Sequence, residues 1–203
     1  WKTNVEGTAE IISRMLERGA RVLFFSSDAV YSSDPSGIYD ESTELAPDFP
    51  YGKMKAEIEQ RFSDNHSFKA VRLSYVFSGD DKYTSYLRKC MTSGNEAEVF
   101  HPYYRSCISL SDVSTATYWL FKNWNSFSHK RLNLAGMELV SRVRMADELS
   151  LMDESFSYSI LEPDPGFYLT RSKITQMKSL YLYAYDIIEA RTFSEAFRAE
   201  LKG

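Results

Sequence analysis

Glycine is scarce and widely scattered. The nine glycines stand at 7, 19, 37, 52, 79, 94, 136, 166 and 203, no two closer than twelve residues. A G-x-G-x-x-G or G-x-x-G-x-x-G phosphate loop is therefore excluded from this stretch. Cysteine is nearly absent: Cys90 and Cys107 have no metal-like spacing and make no disulfide framework, so both read as reduced, buried thiols. His66, His101 and His129 share no ligand spacing, and no metal site is expected. Positive charge is never concentrated. A net charge of −4 with no run of five basic residues argues against nucleic acid as a partner. The apolar runs are too short to span a bilayer, and no secretory leader pattern opens the chain, so the expectation is a soluble, cytoplasmic protein without membrane contact. Neither an internal repeat nor a low-complexity segment is present.

What is there is enough apolar material for a core: 203 residues, 43% apolar and 15% aromatic. Residues 3–18 carry Val5, Ile11, Ile12, Met15 and Leu16 at helical spacing and stop at Gly19. Residues 21–25 read as a short buried parallel strand. In an open α/β sheet the ligand crevice lies beyond the carboxyl ends of the strands, which here means Ser26, Ser27 and Asp28. A Ser, Asp, Pro and Gly-rich loop covers 32–50. Pro50 then opens a helix over 51–62, setting Tyr51 and Lys55 at i and i+4 on one face. An ammonium beside a phenol favours the phenolate, so Lys55 is expected to lower a tyrosine pKa that starts near ~10. Such a tyrosine exchanges a proton with a substrate oxygen near neutral pH, and Ser27 can hydrogen-bond the same oxygen.

Further along, the pattern predicts a strand over 68–75, a helix over 82–91, short strands over 98–100 and 106–110, and a helix over 111–124 starting at Ser111 or Asp112. A strand over 131–136 follows, then a helix to 149 with Ser141 as N-cap. The last part reads as a loop over 163–170, a short helix over 172–178, an aromatic run over 180–185 and a closing amphipathic helix over 192–201. The aromatic run reads as ordinary core, with packing under a neighbouring subunit as the alternative.

A strand followed by Ser26-Ser27-Asp28-Ala29-Val30-Tyr31 and, after the loop, Pro50-Tyr51-Gly52-Lys53-Met54-Lys55-Ala56-Glu57 resembles the extended short-chain dehydrogenase/reductase family. Its members include nucleotide-sugar epimerases, dehydratases and reductases. Asn4-Val5-Glu6-Gly7-Thr8 is similar to the family's helix before the active-site strand. Arg72-Leu73-Ser74-Tyr75-Val76-Phe77 is similar to its segment near the nicotinamide, and Arg105 to Val113 to a stretch whose arginine contacts substrate phosphates. Leu139-Val140-Ser141-Arg142 resembles a passage of the rhamnose-pathway ketoreductases.

The resemblance implies an α/β fold: the C-terminal part of a Rossmann-like, doubly wound parallel sheet (residues 1–79) plus a small α+β substrate lobe (80–203, with returns to the main sheet). It implies NAD or NADP as cofactor, with Ser27, Tyr51 and Lys55 catalytic; Tyr51, Lys55, Ser26, Ser74 and Val76 toward the cofactor; and Asp28 and Arg105 toward a nucleotide-sugar substrate. A homodimer and a place in polysaccharide biosynthesis are the further expectations. The missing glycine loop belongs to the first strand-to-helix turn, so at least two βαβ units, on the order of 60 residues, are expected ahead of Trp1. On that view the sequence is a retained or truncated part of a longer protein, inactive and prone to associate by itself; a member that has lost its cofactor is the other possibility. Dehydratases of the family place an acidic pair after the serine, whereas Asp28 is followed by Ala29. That leaves 4-keto reduction or epimerisation of a nucleotide sugar, and the resemblance of the Ser141-Arg142 passage makes reduction of a 4-keto sugar the expected reaction, with nucleotide-sugar epimerisation, a non-catalytic regulatory subunit of the same fold, or reduction of a small non-sugar carbonyl as alternatives.

Overall fold

The computed structural model describes residues 1–202. After a wide π-type turn at Lys2–Gly7, the chain runs through α1 (Thr8–Glu17), β1 (Val22–Ser27), a one-turn helix at Asp28–Val30, β2 (Ile38–Tyr39), α2 (Pro50–Arg61), β3 (Phe68–Leu73) and β4 (Val76–Phe77). It continues with α3 (Lys82–Ser93), β5 (Ala97–Phe100), β6 (Tyr104–Arg105), β7 (Ile108–Ser109), α4 (Leu110–Lys122), β8 (Arg131–Leu134), β9 (Val140–Ser141), α5 (Arg142–Ser150), β10 (Tyr158–Leu161), a turn of 3-10 helix at Pro165–Thr170, β11 (Ile174–Met177) and α6 (Phe193–Lys202).

The main sheet is parallel, in the order β1-β3-β8, with Val22 opposite Phe68 and Ala70 opposite Arg131. Alternation along β3 shows that both faces are covered. Phe68 and Ala70 pack with Val5, Ile12 and Ile58 under α1 and α2, whereas Val71 and Leu73 pack with Val113, Leu120 and Leu132 under α4. A fold wound on both sides of a parallel sheet is what the sequence implied. Smaller parallel pairs, β4-β7 and β10-β5, and the mixed sheet β2-β11-β6-β9 carry the remainder. A separate core of Phe77, Leu87, Val99, Met145 and Phe197 joins α3, α5 and α6.

The helices begin where the local chemistry directs. Asp81 caps α3 by accepting from the amides of Tyr83 and Thr84, and Ser141 caps α5 by accepting from Arg144. α4 starts earlier than expected, because Ser109 rather than Ser111 or Asp112 supplies its cap. Within 172–178 the chain forms the strand Ile174–Met177, not the short helix expected. Ile174 pairs with Tyr104, and Gln176 with Ile38, so the ladder bonds of two neighbours outweigh a weak local preference. The 180–185 run is divided: Leu182 is fully buried and Tyr181 and Tyr183 lie against the same core, whereas Leu180, Ala184 and Tyr185 are exposed. Cys90 and Cys107 are both free and buried.

Candidate active site

The site grows from the carboxyl ends of β1 and β3. Extended backbone carries β1 as far as Ser27, where the chain turns into the single helical turn Asp28–Val30 and Ser27 Oγ accepts from the Ala29 amide at 3.2 Å. The Ser27 hydroxyl donates to Asp28 at 3.1 Å. On the adjoining strand end, the buried Ser74 hydroxyl donates to the other oxygen of Asp28 at 3.3 Å. Ser26, only 3% exposed, leaves its hydroxyl without a protein partner.

α2 comes down directly on this turn. Pro50 occupies the first helical turn after the extended Phe49, where its missing N–H costs nothing. Gly52 lies against the Ala29 carbonyl so closely that a Cβ on it would fall 1.9 Å from that oxygen. Tyr51 and Lys55 then project from one face of α2 and line an open hollow with Asn4, Thr8, Phe24 and Met54. The Lys55 ammonium donates to the Phe25 carbonyl at 2.7 Å, lies 4.6 Å from the Phe24 ring centre and 5.7 Å from that of Tyr51. Partial burial pulls the Lys55 pKa down, against the opposing charge of Glu59.

One expectation fails here. The Tyr51 pKa is raised, not lowered: partial burial of the phenol disfavours the phenolate, and the carboxylate of Asp28 repels it further. With the ammonium directed at a backbone carbonyl, Tyr51 is a protonated phenol at neutral pH in the ligand-free chain. It stands 53% exposed.

Asp28 is nearly enclosed, and burial raises its pKa despite the opposing Arg105 guanidinium 3.7 Å away and the two serine hydroxyls. Arg105, 8% exposed, does not stand free for a phosphate as the resemblance implied. Its guanidinium donates to the carbonyls of Tyr104 at 2.6 Å and Ser172 at 2.9 Å and faces Asp28 with what remains. The structure thus gathers Ser27, Asp28, Ser74 and Arg105 into one chain of contacts, with Tyr51 and Lys55 beside it. Val76 stands apart, half-buried in the β4-β7 pairing with Ile108 and packed on the core beneath α4.

Beneath α2, Arg72 and Glu59 form a fully buried ion pair at 2.7 Å, and Arg72 also donates to the Tyr31 hydroxyl at 2.7 Å. Glu59 follows Lys55 by one helical turn, so this pair anchors the helix that carries the tyrosine. Sequence reasoning did not single out Asn4 and Thr8 as lining residues or Glu59 as an anchor. Their i, i+4 relation to each other, and that of Glu59 to Lys55, was the available signal.

The residues present fit the nicotinamide end of a dinucleotide: a phenol and an ammonium line one hollow beside β1, the strand that carries the unpartnered Ser26 hydroxyl. They offer no glycine-rich turn for its pyrophosphate. Among the described residues no cluster of His, Cys, Asp and Glu could hold a metal ion, and no helix is long and apolar enough to cross a membrane.

No curated protein sequence matches the chain. Solved structures do. A dTDP-4-dehydrorhamnose reductase from Yersinia enterocolitica superposes with a TM-score of 0.84 at 17% identity, covering 98% of this chain and 72% of that one. Its counterpart from Bacillus anthracis, in complex with NADP, gives 0.81 at 17% identity over 98% and 71%. The UDP-glucuronic acid 4-epimerase from Bacillus cereus, in complex with UDP-glucuronic acid and NAD, gives 0.76 at 18% identity over 100% and 67%. At such identities the likeness establishes the fold, the Rossmann-like arrangement of the extended short-chain dehydrogenases and reductases. The family model for the RmlD substrate binding domain matches residues 1–199, nearly the whole length, and the chain belongs to that family.

Proposed function

We propose that the protein is an NAD(P)-dependent oxidoreductase acting on a nucleotide-linked sugar, and that its reaction is the reduction of a 4-keto group. The observation that carries this reading is the pairing of a free phenol, Tyr51, with Lys55 in a hollow at the carboxyl end of β1. Membership of the RmlD substrate binding domain family supports the substrate class.

The nicotinamide cofactor, when bound, supplies the hydride. Tyr51, protonated at neutral pH, donates its hydroxyl proton to the carbonyl oxygen of the sugar as that oxygen gains charge. Ser27 gives the same oxygen a hydrogen bond once its hydroxyl turns from Asp28. Lys55, partly dehydrated and held near β1 by the Phe25 carbonyl, reaches the cofactor ribose. Ser26 and Ser74 flank the cofactor end. Asp28 and Arg105 form the wall on the sugar side. Residues 1–79 serve the cofactor and the chemistry, and 80–203 mainly the substrate. The working protein is a cytoplasmic homodimer in nucleotide-sugar metabolism that feeds polysaccharide assembly.

The test is turnover of nucleotide-linked 4-keto sugars by the full-length protein, followed by loss of NADH or NADPH absorbance. A reductase consumes one reduced cofactor per sugar, whereas an epimerase interconverts sugars with no net consumption. Absence of both activities with every nucleotide sugar, in protein that binds the cofactor, overturns the proposal in favour of a regulatory role.

A further inference from the structure

Arg142 is the first residue of α5, and its guanidinium is caged by aromatic rings. Its central carbon lies 4.6 Å from the ring centre of Tyr83, 4.8 Å from Tyr103 and 5.7 Å from Phe167. Half-buried, it makes no side-chain hydrogen bond or ion pair with any other described residue. Tyr103 is shared, because Arg105 sits 4.2 Å from the same ring centre. Arg171 lies 4.4 Å from Phe167, and Lys173 4.8 Å from the neighbouring Tyr168.

Four cations therefore crowd one rim, and the carboxylates there are largely engaged. Asp28 answers Arg105, Asp147 accepts from the Tyr158 hydroxyl, and Asp164 accepts from the Gly166 amide at 2.7 Å. Glu162 acts on Tyr168 from an exposed position. Arginine stacked on rings keeps its N–H edge pre-oriented, and that planar fork matches phosphate oxygens. The cleft beside it is lined by Tyr75, Tyr103, Arg105, Ser141, Arg142 and Met145, adjoining the Asp28 end of the site.

We infer that Arg142 is the specificity-determining residue that grips the diphosphate of the nucleotide-linked substrate, and that Arg105, engaged by backbone carbonyls and Asp28, is a positioning residue instead. The inference rests on the nucleotide-sugar reading and deepens it by naming the anion and its holder. Tyr103 and Phe167 keep the guanidinium rigid, and Arg171 and Lys173 add to the positive potential.

The test is binding of UDP and dTDP, each compared with its nucleoside, to the full-length protein by calorimetry. Loss of a charge-assisted hydrogen bond should make Arg142→Ala bind both diphosphates about 10- to 100-fold more weakly. Its affinity for the nucleosides and for NADPH should stay within about twofold of the unaltered protein, an allowance smaller than half a kcal/mol. Arg142→Lys, which keeps the charge and loses the fork, should fall between, and thermal melting shows that both variants are folded. Unchanged diphosphate affinity in folded Arg142→Ala overturns this inference and leaves the proposed function standing. So does a loss confined to NADPH. Failure of the unaltered protein to bind any nucleoside diphosphate overturns both.

Discussion

Gly52 and Ala29 touch backbone to backbone, the first turn of α2 resting on the carbonyl of the turn that ends β1. A Cβ at Gly52 would lie 1.9 Å from the Ala29 oxygen and 3.0 Å from Pro47. Since a backbone carbonyl cannot swing aside as a side chain can, Gly52→Ala must lift the helix. The expected cost is about 1–3 kcal/mol in a urea titration, as for other overpacked sites. Activity should fall further than stability, because the lifted turn carries Tyr51.

Tyr51 itself bears little on the fold. Its ring is half exposed and its hydroxyl has no partner among the described residues. Tyr51→Phe should therefore change stability by less than about 0.5 kcal/mol. Loss of the proton donor should lower kcat by about 10²–10⁴-fold. A folded Tyr51→Phe enzyme that turns over normally sinks the mechanism.

The pH behaviour turns on Asp28. Its carboxylate raises the Tyr51 pKa, so Asp28→Asn removes that repulsion and the phenol deprotonates more easily. The alkaline limb of the reduction rate, where Tyr51 ceases to be a donor, should move to lower pH. Burial also raises the pKa of Asp28 itself. The folded state thus holds this proton more tightly than the unfolded one, and its contribution to stability declines as pH rises from the ordinary carboxylate range through the raised value. Asparagine does not titrate. The melting temperature of Asp28→Asn relative to the parent should climb across that interval; a flat difference refutes the assignment.

Arg72 and Glu59 form a buried pair in which each needs the other. Arg72→Met alone leaves the Glu59 carboxylate in the interior with only Arg131, 3.8 Å away, beside it, and a loss of about 3–5 kcal/mol is expected in denaturant unfolding. Replacing both, Arg72→Met with Glu59→Leu, should recover much of it. If the single and double variants unfold alike, the pair does not anchor α2.

How much of this was legible beforehand differs from element to element. The helix bearing Tyr51 and Lys55 was readable from Pro50 and the spacing that follows, since those are local preferences. The strand before Ser27 was readable as 21–25 from its apolar run; that it continues through the polar Ser26 and Ser27 was not, because those two residues are held by ladder pairing with Arg72 and Leu73. Residues 172–178 were not. Their strand exists only because Tyr104 and Ile38 lie on either side to pair with it.

Charge shows the division most clearly. Composition and order determined that a phenol and an amine share a helix face, that a serine and an aspartate end the preceding strand, and that arginines follow at 105 and 142. Only the tertiary structure decided which groups neutralise one another. Asp28 meets Arg105 across the fold and raises the Tyr51 pKa, Lys55 turns to the Phe25 carbonyl, and Arg142 is left among aromatic rings without an anion. The reason is physical. Helix and strand preferences act between neighbours along the chain, whereas burial and Coulomb interaction depend on distances that exist only after the chain has closed on itself.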